Sequence, residues 1–475
     1  MRIAILSSEA VPFAKTGGLA DVAGALPKAL RENGEDAIVI LPLHQQIKPE
    51  LLAGATPREI HVSWRGGVRP VRVLETNNTG APAYLIDEPE FFSRPSIYGY
   101  GDDHIRYGFF SRAALSLIKS LEWQPDIVHG NDWPCGFAMV ELRQRRRFDP
   151  FYEQTRTLFS IHNAAYQGTF DARDLWWLGF GEAPDNTDFM LNGAASAFKA
   201  GALAADALST VSRRYAQEIQ TPEQGYGLDW IFRARRDRLA GITNGVDYET
   251  WNPETDPHIA AHFSAGNLEG KRTCKIDLLR RFGLPEEPDR PLIAIISRLV
   301  AQKGYDLIRL IAGDIVRTGA FFVALGAGAP EYEDFLQAWH NSAPARVGIY
   351  KGYGGEPLAH QIEAGADIFL MPSMYEPCGL NQMYSMRYGT VPVVRATGGL
   401  DDTVENYNPE SKTGNGFKFQ AYNAGALLEK LREALYFYGA PKDWRIIQKN
   451  GMSVDNSWSA AAVKYVQLYR ETKQL

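Results

Sequence analysis

A chain of 475 residues is too long for one ordinary hydrophobic core, so two domains are expected. With 45% hydrophobic and 22% charged residues it has the make-up of a soluble globular protein, and a net charge of -6 argues against nonspecific binding to nucleic acid or to an anionic membrane. Cys135, Cys274 and Cys378 form no C-x-x-C pair and no disulfide framework, the N-terminus enters a strand rather than a signal peptide, and no apolar run spans a bilayer, so a cytoplasmic location is expected.

Residues 3–7 read as a strand, followed by the loop Lys15-Thr16-Gly17-Gly18-Leu19-Ala20-Asp21 and a helix over 21–33 that Gly34 ends. Further strands are expected at 37–41, 83–87, 127–129, 157–161, 207–211 and 239–243. A polar stretch rich in proline and glycine runs over 244–291. Alternation then restarts, with strands at 292–297, 321–326, 347–350, 368–371 and 391–394 and helices at 305–317, 331–341 and 356–364. Residues 444–475 are helical in pattern, with Trp458, Val463, Tyr465, Val466 and Tyr469 as the apolar set. Two such series imply an α/β protein of two Rossmann-like domains, 1–243 and 244–456, facing each other across a deep cleft that is the natural active site.

In open α/β sheets ligands bind beyond the carboxyl ends of the strands. There the chain carries Tyr375-Glu376-Pro377-Cys378-Gly379-Leu380 and, one strand later, Thr397-Gly398-Gly399-Leu400. A glycine pair exposes backbone N–H groups to an anion, so a diphosphate on the glycines with a sugar beside Glu376 fits both segments. A carboxylate at such a place binds sugar hydroxyls or stabilises positive charge at an anomeric carbon. Arg298 and Lys303 follow the strand at 292–297 and can face one departing anion. The Lys15 loop offers glycine backbone and a point cation, and is neither a Walker A loop nor G-x-G-x-x-G. No Asp-x-Asp pair occurs, which favours metal-independent chemistry with no cofactor and with Arg and Lys as the electrophilic partners.

Asp132 and His162-Asn163 also stand at strand ends, where a histidine can donate a hydrogen bond to a sugar hydroxyl or to the reacting centre. His129, inside a strand, is assigned to the core. Cys378 reads as a packed thiol rather than a nucleophile. Asn244-Gly245-Val246-Asp247 reads as a turn between the domains. Among the aromatic residues of the first half, Tyr98, Trp133 and Tyr166 are the candidates for stacking on an acceptor sugar.

These segments, together with Trp251-Asn252-Pro253, Leu325-Gly326-Ala327-Gly328 and Tyr388-Gly389-Thr390, resemble the bacterial and plant glycogen/starch synthase family, retaining glucosyltransferases of the GT-B fold. They occur in family order over nearly the whole chain. The resemblance implies transfer of glucose from ADP-glucose to the nonreducing-end 4-OH of an α-1,4-glucan such as glycogen, with retention. By match, Lys15, Gly17, Gly18, Asp21, Asn163, Asn244, Cys378, Gly379, Leu380, Thr397, Gly398, Gly399 and Leu400 would bind the nucleotide sugar, with Tyr353 stacked on the adenine. Glu376, Arg298, Lys303, His162 and Asp132 would be catalytic. The resemblance also implies that residues 457–475 cross back to the first domain, and it leaves a same-face and a double displacement both open.

Three features depart from related patterns: Tyr384 stands where the wider superfamily often has the second glutamate of Glu-x7-Glu, Asn131-Asp132-Trp133-Pro134 replaces His-Asp-Trp-His, and Gly352-Tyr353-Gly354-Gly355-Glu356 stands in place of Gly-Tyr-x-Glu. The alternatives are a GT-B enzyme using UDP-glucose, another nucleotide sugar or a small acceptor, and a catalytically silent glucan-binding protein. Neither nucleic acid nor membrane is expected as a partner.

Overall fold

The computed structural model describes residues 1–181, 187–352 and 354–475. Tyr353, expected to stack on a base, lies outside the described residues. The chain forms two compact units, Met1–Gly245 with Trp458–Leu475, and Val246–Ser457.

Among the described residues the first unit is built on a nine-stranded sheet of order β12-β11-β7-β6-β1-β2-β5-β4-β3. Its strands are β1 (Arg2–Leu6), β2 (Asp36–Pro42), β3 (Thr56–Trp64), β4 (Gly67–Thr76), β5 (Ala83–Asp87), β6 (Ile127–Asn131), β7 (Arg156–Ile161), β11 (Ala207–Thr210) and β12 (Leu239–Gly241). A small antiparallel sheet holds β8 (Thr169–Phe170), β9 (Met190–Leu191) and β10 (Ala194–Ser196). From β12 to β5 the large sheet is parallel. Runs such as Ile3-Ala4-Ile5-Leu6 are buried on both faces, as parallel strands require. The chain leaves β1 to one side for β2 and returns on the other as β6, so the order reverses at the β1/β6 edge.

No strand is expected from periodicity between 41 and 83, yet β3 and β4 form an antiparallel hairpin there. Its two-residue turn, Arg65-Gly66, has positive φ at both positions, the geometry that matches strand twist. Ile60, Val62 and Trp64 alternate with exposed residues, so the period-2 signal was present but short.

The tail is two helices rather than one, Pro441–Met452 and Trp458–Lys473. The second packs on the helix Gly18–Glu32, and its Ala461, Ala462, Tyr465 and Val466 are buried in the core they share, whereas Val463 is exposed. Tyr469 Oη reaches the buried His129 Nδ1 at 2.8 Å, and His129 Nε2 lies 2.6 Å from Ser160 Oγ. Burial holds His129 neutral, its pKa lowered to about 3. Its place in the core agrees with its position inside a strand.

The second unit is a six-stranded parallel sheet of order β15-β14-β13-β16-β17-β18. The strands are β13 (Leu292–Ile296), β14 (Phe321–Gly326), β15 (Val347–Lys351), β16 (Ile368–Met371), β17 (Val391–Arg395) and β18 (Phe417–Phe419). Here the order reverses between β13 and β16. The stretch over 244–291 is not all irregular, because Glu269–Arg281 is a helix. Its buried face carries Lys271 and Lys275 beside Cys274, Leu278 and Leu279, which hides the apolar period. Lys271 Nζ donates to the Ala364 and Tyr388 carbonyls and to Thr390 Oγ1, and Lys275 Nζ pairs with Asp367 at 2.5 Å. Among the described residues no helix is long and apolar enough to cross a membrane.

Tyr469→Phe strands His129 Nδ1 in the core and is expected to cost about 1–3 kcal/mol of stability, read as a lower denaturant midpoint. The exposed change Val463→Ser is expected to stay within about 0.5 kcal/mol of the parent in the same experiment.

Candidate active site

In the second unit the expected residues gather at the carboxyl edge where β13 and β16 part. Arg298 and Lys303 follow β13, and Ser373 and Glu376 follow β16. They line a cavity of about 210 Å³ with Gly379, Leu380 and Asn381. Glu376 is 8% exposed. Its Oε2 accepts from Lys303 Nζ at 2.5 Å and from Ser373 Oγ at 3.0 Å. Arg298 is exposed and forms no ion pair among the described residues.

The glycine pair has a different task from the one its sequence suggests. A Cβ on Gly398, whose φ is +46°, would lie 1.9 Å from the Glu376 carbonyl oxygen, and one on Gly399 would lie 2.0 Å from that of Cys378. The Gly399 N–H is taken by the Glu376 and Pro377 carbonyls, and that of Leu400 by Thr397. The pair therefore lets the start of the helix Gly398–Thr403 press against the glutamate loop, and these two N–H groups are not turned to an anion. The Leu400 side chain is fully buried in the core and Cys378 is buried.

Tyr384, in the place of the superfamily's second glutamate, stacks on Trp251 at 3.9 Å. Trp251 stacks on its other face with His360 at 3.8 Å. Asp256 joins His360 at 2.7 Å and Tyr388 at 2.5 Å. These contacts clamp the segment after the domain turn onto the second sheet.

In the first unit the corresponding edge lies where β1 and β6 part. Asp132 follows β6 with φ +54° and ψ -176°, a backbone region that glycine alone adopts readily, at a cost of order 1–3 kcal/mol. Its carboxyl caps the start of the 162–163 segment, accepting from the His162 N–H at 2.8 Å and from the Asn163 N–H. Burial raises its pKa to about 7, with those two hydrogen bonds opposing and Glu9 adding to the rise. His162 is held neutral by burial, its pKa lowered to about 4. Its Nε2 lies 2.9 Å from Asn131 Oδ1.

Glu9, which sequence reasoning missed, holds the Lys15 loop. Its carboxylate accepts from the Thr16 N–H, from Thr16 Oγ1 at 2.9 Å, from the Gly17 N–H at 3.3 Å and from Tyr98 Oη at 3.3 Å. Burial raises its pKa against those bonds. Lys15 pairs with Asp21 at 2.6 Å and remains exposed, as does Gly18. The signal for Glu9 was its place just past the first strand, the same criterion that singled out Glu376.

Trp133 sits 6.3 Å from the Tyr98 ring and covers Gly168, where a Cβ would meet it at 2.4 Å. Tyr166 is exposed, and Asn244 is buried with its Oδ1 unbonded among the described residues. Among the described residues no group of three or more His, Cys, Asp or Glu side chains is arranged to hold a metal ion.

Because the Asp132 carboxyl titrates higher when folded, the folded chain keeps a proton between roughly pH 4 and pH 7 that the unfolded chain has released. Stability therefore falls as pH rises through that window, and Asp132→Asn should remove this part of the fall when unfolding is compared at pH 5 and pH 7.5. Gly398→Ala forces the Glu376 loop to move and is expected to lower kcat on the order of 10²-fold in a steady-state assay.

Residues 2–234 match the family described as starch synthase catalytic domain, and residues 279–450 match glycosyl transferases group 1. Glycogen synthase from Geobacillus thermodenitrificans is 44% identical over 478 residues, covering 99% of this chain and 98% of that one. The Koribacter versatilis glycogen synthase is 44% identical over 490 residues, covering 100% and 99%. Among solved structures, the catalytic domain of starch synthase IV from Arabidopsis thaliana, bound to ADP and acarbose, matches with a TM-score of 0.90 at 33% identity over 100% of this chain and 99% of that one. Sucrose-phosphate synthase from Thermosynechococcus elongatus, with a TM-score of 0.62 at 17% identity, shares the fold. With both halves matched in order and relatives aligned from end to end, this chain belongs to the glycogen/starch synthase family of GT-B glycosyltransferases.

Proposed function

We propose that the protein transfers glucose from ADP-glucose to the nonreducing-end 4-OH of an α-1,4-glucan, with retention of configuration and release of ADP. The observation that carries this reading is the buried Glu376 carboxylate, 2.5 Å from Lys303 in the cavity that Arg298 also lines. A glucosyl transfer develops negative charge on the leaving diphosphate and positive charge at the anomeric carbon. Two cations and one carboxylate in one cavity answer both. Support for an adenine donor and a glucan acceptor comes from the Arabidopsis relative, which was solved with ADP and acarbose.

In this mechanism Arg298 and Lys303 offset the charge on the departing diphosphate, and the chemistry calls on no metal or other cofactor. Glu376, kept in place by Ser373 and Lys303, orients the glucose hydroxyls and stabilises oxocarbenium character. Lys15 and the Gly17–Gly18 loop bind phosphate. Asp132, His162 and Asn163 surround the glucose, and Asn244, whose buried side-chain carbonyl is unbonded among the described residues, accepts a hydrogen bond from the donor. Gly379 and Leu380 bound the sugar subsite, with Cys378, Thr397, Gly398, Gly399 and Leu400 supporting it from behind. Tyr98, Trp133 and Tyr166 are assigned to the acceptor. Cys378 is buried and is not used as a nucleophile, which favours a same-face displacement in which the leaving phosphate helps deprotonate the acceptor hydroxyl.

The test is release of nucleoside diphosphate from ADP-glucose or UDP-glucose, with and without glycogen. ADP release that requires glycogen and persists in excess EDTA is expected. Equal turnover of UDP-glucose overturns the base assignment, and no turnover of either donor overturns the reaction. Glu376→Ala is expected to lower kcat by at least ~10²-fold with the fold intact, and Arg298→Ala comparably, since each acts as charge develops.

A further inference from the structure

Asn131 ends β6, and its side-chain amide has two different neighbours. Nδ2 donates to the Leu6 carbonyl oxygen at the end of β1, 3.0 Å away. A carbonyl only accepts, so this contact fixes which end of the amide faces which way. Oδ1 is left 2.9 Å from His162 Nε2. An amide oxygen carries no hydrogen, so Nε2 must bring the proton. Burial keeps the imidazole neutral, and a neutral imidazole has one N–H. Nδ1 is therefore a lone pair, and the described hydrogen bonds of His162 are those of its main-chain N–H and of Nε2. Asp132 Oδ1, by accepting from the His162 main-chain N–H, fixes where the ring starts.

We infer that Asn131 is a positioning residue that locks His162 as the Nε2–H tautomer, so that His162 meets the reacting sugars as a hydrogen-bond acceptor through Nδ1. This reverses the donor role that a strand-end histidine suggests from sequence. A sugar hydroxyl would give its proton to Nδ1 and keep its own lone pairs for other donors. The inference rests on the proposed glucosyl transfer for its functional half, whereas the tautomer is a property of the protein alone.

The experiment is nitrogen-15 NMR of the full-length, ligand-free protein with labelled histidine at pH 7.5, the His162 signals assigned by their loss in His162→Gln. A protonated Nε2 and an unprotonated Nδ1 are expected. A protonated Nδ1, or an imidazolium, overturns the inference whatever the activity. In Asn131→Leu, which removes both amide contacts, the ring is expected to populate both tautomers, with kcat reduced about tenfold or more and KM little changed. A parent-like kcat in a folded Asn131→Leu whose tautomer has changed overturns the positioning role. Absence of any transfer by the parent protein defeats the functional reading instead, and leaves the tautomer result to decide the structural half.

Discussion

The second unit depends on one requirement: a carboxylate must be held, largely out of water, at the edge where two parallel strands part. A buried carboxylate is costly unless paired and hydrogen-bonded. Lys303 and Ser373 meet that need for Glu376, and each must arrive from a fixed direction. Lys303 reaches it because Gly304, at φ +79°, lets the chain turn into the helix Tyr305–Arg317 against the Pro372 carbonyl, where a Cβ would lie 2.3 Å away. The loop itself is backed by Gly398 and Gly399 at distances no side chain tolerates. Three glycines, two strand ends and two helix starts are thus parts of one device for aiming one carboxylate.

The first unit solves a related problem with the opposite result. Asp132 is also a carboxyl at a switch-point edge, but among the described residues no cation pairs with it. Two main-chain N–H groups and a strained backbone hold it, and burial lifts its pKa to about 7. Glu9 nearby is lifted in the same direction while it organises the Lys15 loop and Tyr98. The two edges therefore differ in kind. One offers a carboxylate paired with a lysine and an arginine that forms no ion pair among the described residues, and the other offers carboxyls whose pKa burial raises and a histidine that burial keeps neutral.

Stability outside the sites follows from how polar groups are buried. The C-terminal helix is tied to the first sheet by Tyr469 and His129, and Lys271 and Lys275 reach inward to carbonyls and to Asp367. The Trp251 stack with His360 and Tyr384 explains why the position eight residues after Glu376 carries a ring rather than a carboxylate. A glutamate there would forfeit the stack that anchors the segment after the domain turn.

From the sequence alone, the alternation of apolar runs and helical periods determined that there would be parallel sheets, and the residues just past those runs included Arg298, Lys303, Glu376, Asp132 and His162. That was legible because buried parallel strands are continuous apolar segments and their carboxyl ends are where ligands bind. The β3–β4 hairpin and the helix Glu269–Arg281 were not, since one is half exposed, with its buried residues alternating over only part of each strand, and the other buries lysines. Only the tertiary structure decided what Glu9, Asn131, Gly399 and Tyr384 do. Each takes its role from a partner brought close by folding: a loop amide, a carbonyl on the neighbouring strand, the glutamate loop, a tryptophan. A hydrogen bond or a stacked ring is a property of two groups at a distance, and sequence spacing specifies only one of them.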